Sequence, residues 1–240
     1  MLEIIQVPVL PANANYNYIL HGNGQTVVID PSVAEDIIEI LDQRGWKLDY
    51  IYNTHHHWDH TGGNLKLQQH YGAIIVGFAQ DKHRIPGINK TVLNNEEINI
   101  CGQNVKVMHL PGHTLGHIAY YFIEEKALFS GDVIFSAGCG RLFEGTATEA
   151  YSSLQRINSL PKDTKIYCAH EYTLDNCIFA LTVEPQNIAL YQYMEKVRIL
   201  RANNLPSIPT TIAIEQQINP FLRVKNISEF ALVRSKKDSF

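Results

Sequence analysis

The sequence predicts an α+β fold in which a sheet-rich body of about 170 residues precedes a smaller helical tail. Short β-branched and aromatic runs bounded by Gly, Pro, Asn or Asp dominate the body, as expected of strands. Segments with the apolar spacing of a helix lie between several of these runs. After His170 only helical patterns remain, interrupted by prolines. With 45% hydrophobic residues, a chain of 240 residues can bury its own core.

The predicted strands fall in the body, at 2–9, 15–20, 26–29, 50–53, 73–76, 97–100, 105–110, 117–123, 126–130 and 165–168. Three body helices are predicted at 34–44, 63–71 and 148–160, the last with Leu154, Ile157 and Leu160 on one face. Four tail helices are predicted at 174–183, 187–203, 212–217 and 228–237. Prolines are predicted to break the tail helices: Pro185, Pro206, Pro209 and Pro220.

Several classes of protein are excluded by composition. No apolar run approaches the roughly 20 residues that cross a bilayer, and the segment 1–5 lacks a basic flank and a small-residue cleavage site. The four cysteines form no CxxC pair and are too few for a disulfide scaffold, so we expect reduced thiols. We therefore expect a cytoplasmic protein with no membrane partner.

Charge is spread unevenly along the chain. The net charge of -4 argues against a nucleic-acid partner. Residues 1–185 carry 12 basic and 20 acidic side chains, a net of -8, whereas residues 186–240 carry 8 and 4, a net of +4. The cationic tail indicates either an anionic ligand near it or a chance asymmetry of the surface.

The densest motif, from Tyr52 to Gly63, places four of the chain's 11 histidines in six positions directly after an apolar strand. Its pattern is H-x-H-x-D-H. On a strand end or extended loop, residues i and i+2 share a face, so His55 and His57 are predicted to point at one metal. Asp59 and His60 then reach a neighbouring position. Imidazole and carboxylate ligands suit zinc, iron or manganese.

Three further candidate ligands, His113, Asp132 and His170, each come near a strand end beside Gly or Ala. Seven donors exceed the needs of one tetrahedral ion. We therefore predict two divalent ions, with zinc preferred over iron or manganese. One ion is held by His55, His57 and His113, the other by Asp59, His60 and His170, and Asp132 bridges them.

Two cations about 3.5 to 4 Å apart can share a water, lower its pKa and present hydroxide to a carbonyl carbon. The predicted chemistry is therefore hydrolysis. Asp59 and Asp132 are the predicted catalytic residues, with Asp59 also holding the hydroxide by a hydrogen bond.

Several other polar residues lie in or near these motifs. His56 faces away from its neighbours and is predicted to be structural or to support a ligand. Asp30 either orients a ligand imidazole or caps a turn before Pro31. The remaining histidines are predicted to have only surface or packing roles: His21, His70, His83, His109 and His117.

These motifs resemble the metallo-β-lactamase superfamily, and the resemblance extends over essentially the whole chain. Four further segments resemble the glyoxalase II (hydroxyacylglutathione hydrolase) family: 136–146, 167–173, 183–185 and 234–238. The superfamily motif specifies fold and metals alone, whereas the AGCGR-x-FEGT loop and the RSKKD tail are specific to this family.

The resemblance implies a four-layer αββα sandwich, with a metal-binding catalytic domain at 1–170 and a helical C-terminal domain at 171–240. It implies hydrolysis of S-D-lactoylglutathione, and of other S-2-hydroxyacylglutathiones, to D-lactate and glutathione, the last step of methylglyoxal detoxification. The family's substrate-binding positions fall on Arg141, Phe143, Tyr172, Arg234 and Lys237. Arg234 and Lys237 would meet the glycine carboxylate of glutathione.

The chain departs from the family at two positions. Animal and plant members usually carry Lys and Tyr where this chain has Arg141 and Phe143. The cation is kept but a phenolic hydroxyl is lost, so Phe143 cannot hydrogen-bond the peptide backbone of glutathione. It can still pack against the thioester arm.

Alternatives remain open at this point. A lactonase, a β-lactamase or a persulfide dioxygenase with a single iron could use much of the same His and Asp array. A non-catalytic metal-binding or nucleic-acid-associated protein could keep the sheet. The loop and the cationic tail favour the thioesterase, and the seven donors and the negative net charge weigh against a non-catalytic protein. We expect a monomer.

Overall fold

The computed structural model of this chain describes residues 2–10 and 15–240. It divides into two compact units. The first unit comprises 1–109 and 116–125, and the second comprises 110–115 and 126–240.

The first unit is built from strands and short helices. Its mixed sheet has the order β1 (Glu3–Val9), β2 (Asn15–Gly22), β3 (Gln25–Ile29), β4 (Tyr50–Tyr52), β5 (Ile74–Phe78) and β6 (Lys90–Val92). The pairs β1–β2 and β2–β3 are antiparallel, whereas β3 to β6 run parallel. An antiparallel meander follows in β7 (Glu97–Ile100), β8 (Gln103–His109) and β9 (Ile118–Phe122).

Apolar side chains hold the helices of this unit on its sheet. The helices are α1 (Glu35–Arg44), α2 (Trp58–Thr61) and α3 (Asn64–Tyr71), with a 3-10 helix at Ala79–Asp81. Ile37 and Leu41 lie four residues apart on α1, so they share a face. They belong to one buried cluster with Val28, Ile51 and Ile75 of the parallel strands. Each fully buried aliphatic side chain contributes about 1.5 to 3 kcal/mol.

The second unit contains five short strands and six helices within the part of the chain that the structure describes. The strands are β10 (Ala127–Gly131), β11 (Ile134–Phe135), β12 (Gly138–Cys139), β13 (Lys165–Cys168) and β14 (Thr210–Thr211). The helices are α4 (Ala147–Asn158), α5 (Thr173–Val183), α6 (Ile188–Ala202), α7 (Ile212–Ile218), α8 (Pro220–Arg223) and α9 (Ile227–Asp238). Strand β10 is parallel to β13, β14 is antiparallel to β13, and β11 and β12 form a hairpin.

Local sequence explains where several of these helices begin. Thr146 and Glu149 form a capping box at the start of α4. Asn226 accepts from the backbone N–H of Glu229 at the start of α9. Helices α5 and α6 share a buried cluster that includes Ala137 of the β11–β12 hairpin. The helices after residue 170 thus lie in the same compact unit as β10 and β13, and the predicted domain boundary at 170 stays a prediction.

The longer predicted elements are present within a few residues of their expected ends, but several short ones were missed. Strands of two or three residues, namely β6, β11, β12 and β14, carry no detectable period. Pro220 follows the end of α7, as predicted for a helix break, and it also begins the short helix α8, which was not predicted; at that position a missing N–H costs nothing. All four cysteines are free, as predicted, and all four are buried. Among the described residues, no helix has both the length and the apolar character needed to span a membrane.

Candidate active site

The H-x-H-x-D-H motif follows the carboxyl end of β4, next to the end of the parallel strand β3. Its chain is not extended throughout: His57 is the N-cap of α2, and Asp59 and His60 lie within that short helix. The sequence-based expectation of a strand end or extended loop therefore holds only for the first half of the motif. His55 and His60 are fully buried, whereas Trp58 is 71% exposed. The helical turn sends the indole outward and the imidazole of His60 inward.

The four predicted donors of this segment converge. The Nε2 of His55 lies 3.1 Å from the Nδ1 of His57. The Nε2 of His60 lies 3.8 Å from an Oδ2 of Asp59. The ring centroids of His55 and His60 are 4.1 Å apart. Three imidazoles and a carboxylate thus crowd one small, largely buried region of the first unit.

Asp30 orients this motif from the end of β3. Its Oδ2 lies 3.0 Å from the Nδ1 of His60 and accepts from the Thr54 hydroxyl at 2.7 Å, while its Oδ1 accepts from the Thr54 backbone N–H at 2.7 Å. When the Nδ1 of His60 donates to this carboxylate, its Nε2 carries the lone pair that a metal needs. The structure therefore supports the first of the two sequence readings of Asp30, that it orients an imidazole.

Two other histidines support the motif. His56 lies with its Nδ1 3.4 Å from the Oδ2 of Asp81, a buried carboxylate that also binds Arg84. This contact agrees with a structural role for His56, the first of the two predicted. His117, predicted to have only a packing or surface role, is fully buried and stacks on His55 at 4.6 Å. The sequence did offer one indication of this: His117 follows a glycine, as His113 does four residues earlier.

The other three predicted donors meet in the second unit. Asp132 follows β10 and His170 follows β13, and because these strands are parallel their carboxyl ends lie together. An Oδ2 of Asp132 lies 3.4 Å from the Nε2 of His113 and 3.2 Å from the Nε2 of His170. The three residues are 3 to 6% exposed. The Nδ1 of His113 donates to the carbonyl of Arg141 at 2.7 Å, which directs its Nε2 toward Asp132.

The donor set fits metal ions. Imidazole nitrogens and carboxylate oxygens are the ligands that zinc, iron and manganese take in proteins. Here they are largely buried, and two imidazoles have their other nitrogen held by a carboxylate or a carbonyl, as is usual for metal-binding histidines. The cluster of His and Asp donors is consistent with a dinuclear metal site.

The predicted substrate-binding residues lie close to the donors of the second unit. Phe143 is 62% exposed, and its ring meets that of His113 edge-on at 5.2 Å. Tyr172 is 41% exposed and stacks on His170 at 4.6 Å with only 4° between the ring planes. Two exposed rings therefore flank the pair of imidazoles that face Asp132.

The three cationic side chains predicted to bind substrate differ in burial and in their contacts. Arg141 is largely exposed, and its Nε lies 3.4 Å from an Oδ1 of Asp238. Arg234 is 6% exposed; its Nη1 donates to the Cys139 carbonyl at 2.9 Å and its Nη2 lies 3.0 Å from the same Asp238 oxygen. The Nζ of Lys237 lies over two aromatic rings, 5.0 Å from Phe179 and 5.2 Å from Phe240. Asp238 thus joins Arg141 to Arg234, while Lys237 is half-buried.

Cys139 lies in the same loop but has no features of a nucleophile. Its thiol is buried, and burial raises its pKa to about 11 against the opposing effect of the Arg234 guanidinium. A thiol with that pKa is almost wholly protonated at neutral pH, and the protonated form is not nucleophilic. This agrees with the sequence-based view that Cys139 is a packed loop residue.

Two family models together match nearly the whole chain. The metallo-beta-lactamase superfamily model matches residues 10–170, and the hydroxyacylglutathione hydrolase C-terminus model matches residues 171–240. The chain is 45% identical to a hydroxyacylglutathione hydrolase of Methylococcus capsulatus, over 100% of this chain and 99% of that protein. It is 44% identical to one of Rhodospirillum rubrum, over 100% of this chain and 99% of that protein.

A solved structure shares the fold. TTHA1623, crystallised in a di-iron-bound form, is similar with a TM-score of 0.67 at 24% identity, over 91% of this chain and all of that one. The predicted fold class, a four-layer αββα metallo-β-lactamase sandwich with helices at its C-terminal end, is thereby confirmed. The chain belongs to the hydroxyacylglutathione hydrolase family of the metallo-β-lactamase superfamily.

Proposed function

We propose that this protein is a metal-dependent thioesterase that hydrolyses S-D-lactoylglutathione, and other S-2-hydroxyacylglutathiones, to the hydroxy acid and glutathione. One observation carries the proposal. Residues predicted to bind glutathione are in contact with residues predicted to bind metal, since Phe143 meets His113 and Tyr172 stacks on His170. A thioester held by these rings has its carbonyl beside the donor cluster. The names of the curated relatives support the same substrate class.

We propose that seven residues hold two divalent ions, zinc before iron or manganese: His55, His57, Asp59, His60, His113, Asp132 and His170. When bound, such ions lower the pKa of a shared water and stabilise negative charge on a carbonyl oxygen. Asp132 would serve both ions, because its carboxylate lies against two imidazoles. The Asp59 carboxylate is 22% exposed, so it can hold the proton of an attacking water by a hydrogen bond.

The remaining predicted site residues bind the substrate. Lys237 supplies a cation for a carboxylate of glutathione, and Arg141 supplies a second one from the exposed side of the loop. Arg234, although buried, is proposed to meet the same glutathione carboxylate as Lys237. The leaving group is a thiolate, and since an ordinary thiol has a pKa of about 8.5, it leaves without a strong general acid.

We further propose a monomer in the cytoplasm, with no nucleic-acid partner, whose residues 171–240 form part of the glutathione site. The negative net charge argues against a nucleic-acid partner, and the cationic C-terminal quarter supports a role of residues 171–240 in binding glutathione.

The function is tested by giving zinc-loaded protein S-D-lactoylglutathione, a thioester without glutathione, a β-lactam and a lactone in parallel. We expect rapid release of free thiol from S-D-lactoylglutathione, much slower turnover of the small thioester, and none of the lactam or lactone. In a last assay, iron-loaded protein is given glutathione persulfide and oxygen uptake is measured, which tests the persulfide dioxygenase alternative. Hydrolysis of the lactam or lactone without thioester turnover, or oxygen uptake with one iron per chain, would replace the proposal by the corresponding alternative.

A further inference from the structure

The β11–β12 hairpin lies between two parts of the candidate metal centre. Asp132 comes just before it, and Arg141, whose carbonyl accepts from the Nδ1 of His113, comes just after it. Gly140 packs so closely that an added Cβ would lie 2.0 Å from the Asp132 carbonyl and 3.1 Å from the Nδ1 of His113. A shift of this hairpin therefore moves both Asp132 and the group that orients His113.

Side chains of the helical segment after residue 170 hold this hairpin along its whole length. Asn176 donates to the Ser136 carbonyl at 3.1 Å, and Arg234 donates to the Cys139 carbonyl at 2.9 Å. Asn219 donates to the carbonyls of Phe135 and Gly138, at 3.2 and 2.9 Å. The backbone N–H of Ala137 donates to an Oε2 of Glu215 at 2.8 Å. Every residue from 135 to 139 thus has a backbone group bound by this segment.

Glu215 is the centre of this network. Its carboxylate is fully buried and accepts four hydrogen bonds: from Ser136 Oγ at 3.0 Å, Ala137 N at 2.8 Å, Thr210 Oγ1 at 2.7 Å and Asn219 Nδ2 at 2.9 Å. Ala137 has a φ of +55°, a left-handed conformation that a residue with a Cβ rarely adopts unless its surroundings impose it. The Glu215 carboxylate therefore binds the strained tip of the hairpin directly. It also binds the amide of Asn219, which in turn binds both strands of the hairpin.

The network is a costly way to stabilise a fold. Burial raises the pKa of Glu215, and the four donors oppose that rise. Burying a carboxylate is unfavourable unless its hydrogen bonds are complete, whereas apolar side chains would fill the same volume at lower cost. What the carboxylate adds is a fixed direction for the backbone of 135–138.

We propose that Glu215 is a positioning residue of the metal centre, which sets the affinity for metal through the β11–β12 hairpin without contacting an ion. The proposal rests on the proposed function, because it takes His113 and Asp132 as ligands. It extends the role of the C-terminal helical segment from binding glutathione to shaping the metal site.

The test measures zinc transfer from the zinc-loaded protein to a chromophoric chelator, below the thermal unfolding transition of each variant. We expect Glu215→Ala to lower zinc affinity by at least about tenfold, the range found when a residue that orients a metal ligand is lost. Glu215→Gln should stay within about threefold of the natural chain, since its amide oxygen can still accept from Ala137 N while the hydroxyls of Ser136 and Thr210 turn to accept from its NH₂. Glu184→Gln is the matched control, because Glu184 pairs with Arg223 in the same segment and lies outside the network.

The outcomes separate this inference from the function on which it rests. If the natural chain retains neither zinc nor iron nor manganese, the proposed function fails. If it retains two equivalents and folded Glu215→Ala binds them as tightly, Glu215 only stabilises the fold and the inference is overturned. Should Glu215→Ala not fold, Asn219→Ala decides: a drop in zinc affinity of about threefold or more supports the proposal, and unchanged affinity overturns it.

Discussion

The side chains that are predicted to bind metal are held differently from the three exposed side chains that are predicted to bind glutathione. His60 and His113 are largely buried, and each has one ring nitrogen bound to a protein oxygen, so the other has a fixed direction. Arg141, Phe143 and Tyr172 are 41 to 62% exposed and are held by ring contacts or by a solvent-exposed ion pair. Such an ion pair contributes at most about 1 kcal/mol. The contrast teaches that the chemistry is preorganised while recognition is left adaptable.

This difference predicts a division of kinetic effects. A donor residue should affect turnover of every thioester, because the reacting group depends on it. A recognition residue should affect the Michaelis constant of glutathione thioesters alone. The following variants test the division, beginning with the largest expected effect.

Asp59→Ala is expected to lower turnover of every thioester by about 10²-fold or more, the loss seen when one charge-stabilising group is removed from an active site. The measurement is kcat for S-D-lactoylglutathione and for a thioester without glutathione, with metal content determined for each preparation. Asp36→Ala, which removes an exposed acid from the first turn of α1, is the control and should be unchanged. Near-normal turnover by Asp59→Ala at full metal content would refute its catalytic role.

Lys237→Ala is expected to raise the Michaelis constant for glutathione thioesters about tenfold or more, equivalent to about 1.5 to 3 kcal/mol for one charged hydrogen bond. Turnover and the small thioester should change much less. Burial, and then Arg234, lowers the pKa of Lys237, so the Michaelis constant of the natural chain should begin to rise at a lower pH than an ordinary lysine would give. Lys236→Ala removes a neighbouring exposed cation and serves as the control. Equal losses on both thioesters would show that Lys237 supports only the fold.

Phe143→Tyr restores the hydroxyl that animal members of the family carry. Because Phe143 is 62% exposed and lies beside His113, the added hydroxyl can reach a bound peptide without repacking the loop. We expect tighter binding of glutathione thioesters by about 0.5 to 1.5 kcal/mol, the net value of one ordinary hydrogen bond, with turnover nearly unchanged. Measured binding of a non-hydrolysable glutathione thioether checks this, and unchanged or weaker binding would show that the added hydroxyl finds no partner on the peptide.

Cys139→Ala is expected to have the smallest effect, with kcat/KM within about twofold of the natural value from pH 6 to 9. The thiol, with its pKa raised to about 11, carries no significant thiolate in that range. A pH–rate profile and mass spectrometry of the quenched reaction check this. An acyl group trapped on Cys139 would require a covalent mechanism in place of hydrolysis by activated water.

Sequence patterns predicted much of the fold and of the site, for reasons that are local. The donors were recognisable because a dense run of His and Asp directly after an apolar strand is improbable by chance, and because β10 and β13 end beside Asp132 and His170. The longer strands and helices carry their own periodicity and caps. The short helix α2 was missed because four residues are too few for a helical period, although it turns Asp59 and His60 inward.

The sequence by itself therefore determined the fold class and the family, and it singled out the candidate metal donors, because each rests on motifs made of neighbouring residues. Only the tertiary structure decided that His117 stacks on His55, that Arg234 is buried against the Cys139 carbonyl, and that Glu215 holds the hairpin. Arg234 and Cys139 are 95 residues apart, and Glu215 and Ala137 are 78 apart. The physical reason is that these contacts form only when packing brings distant segments together. Buried backbone groups then need hydrogen-bond partners, and the local sequence pattern does not show which groups these will be.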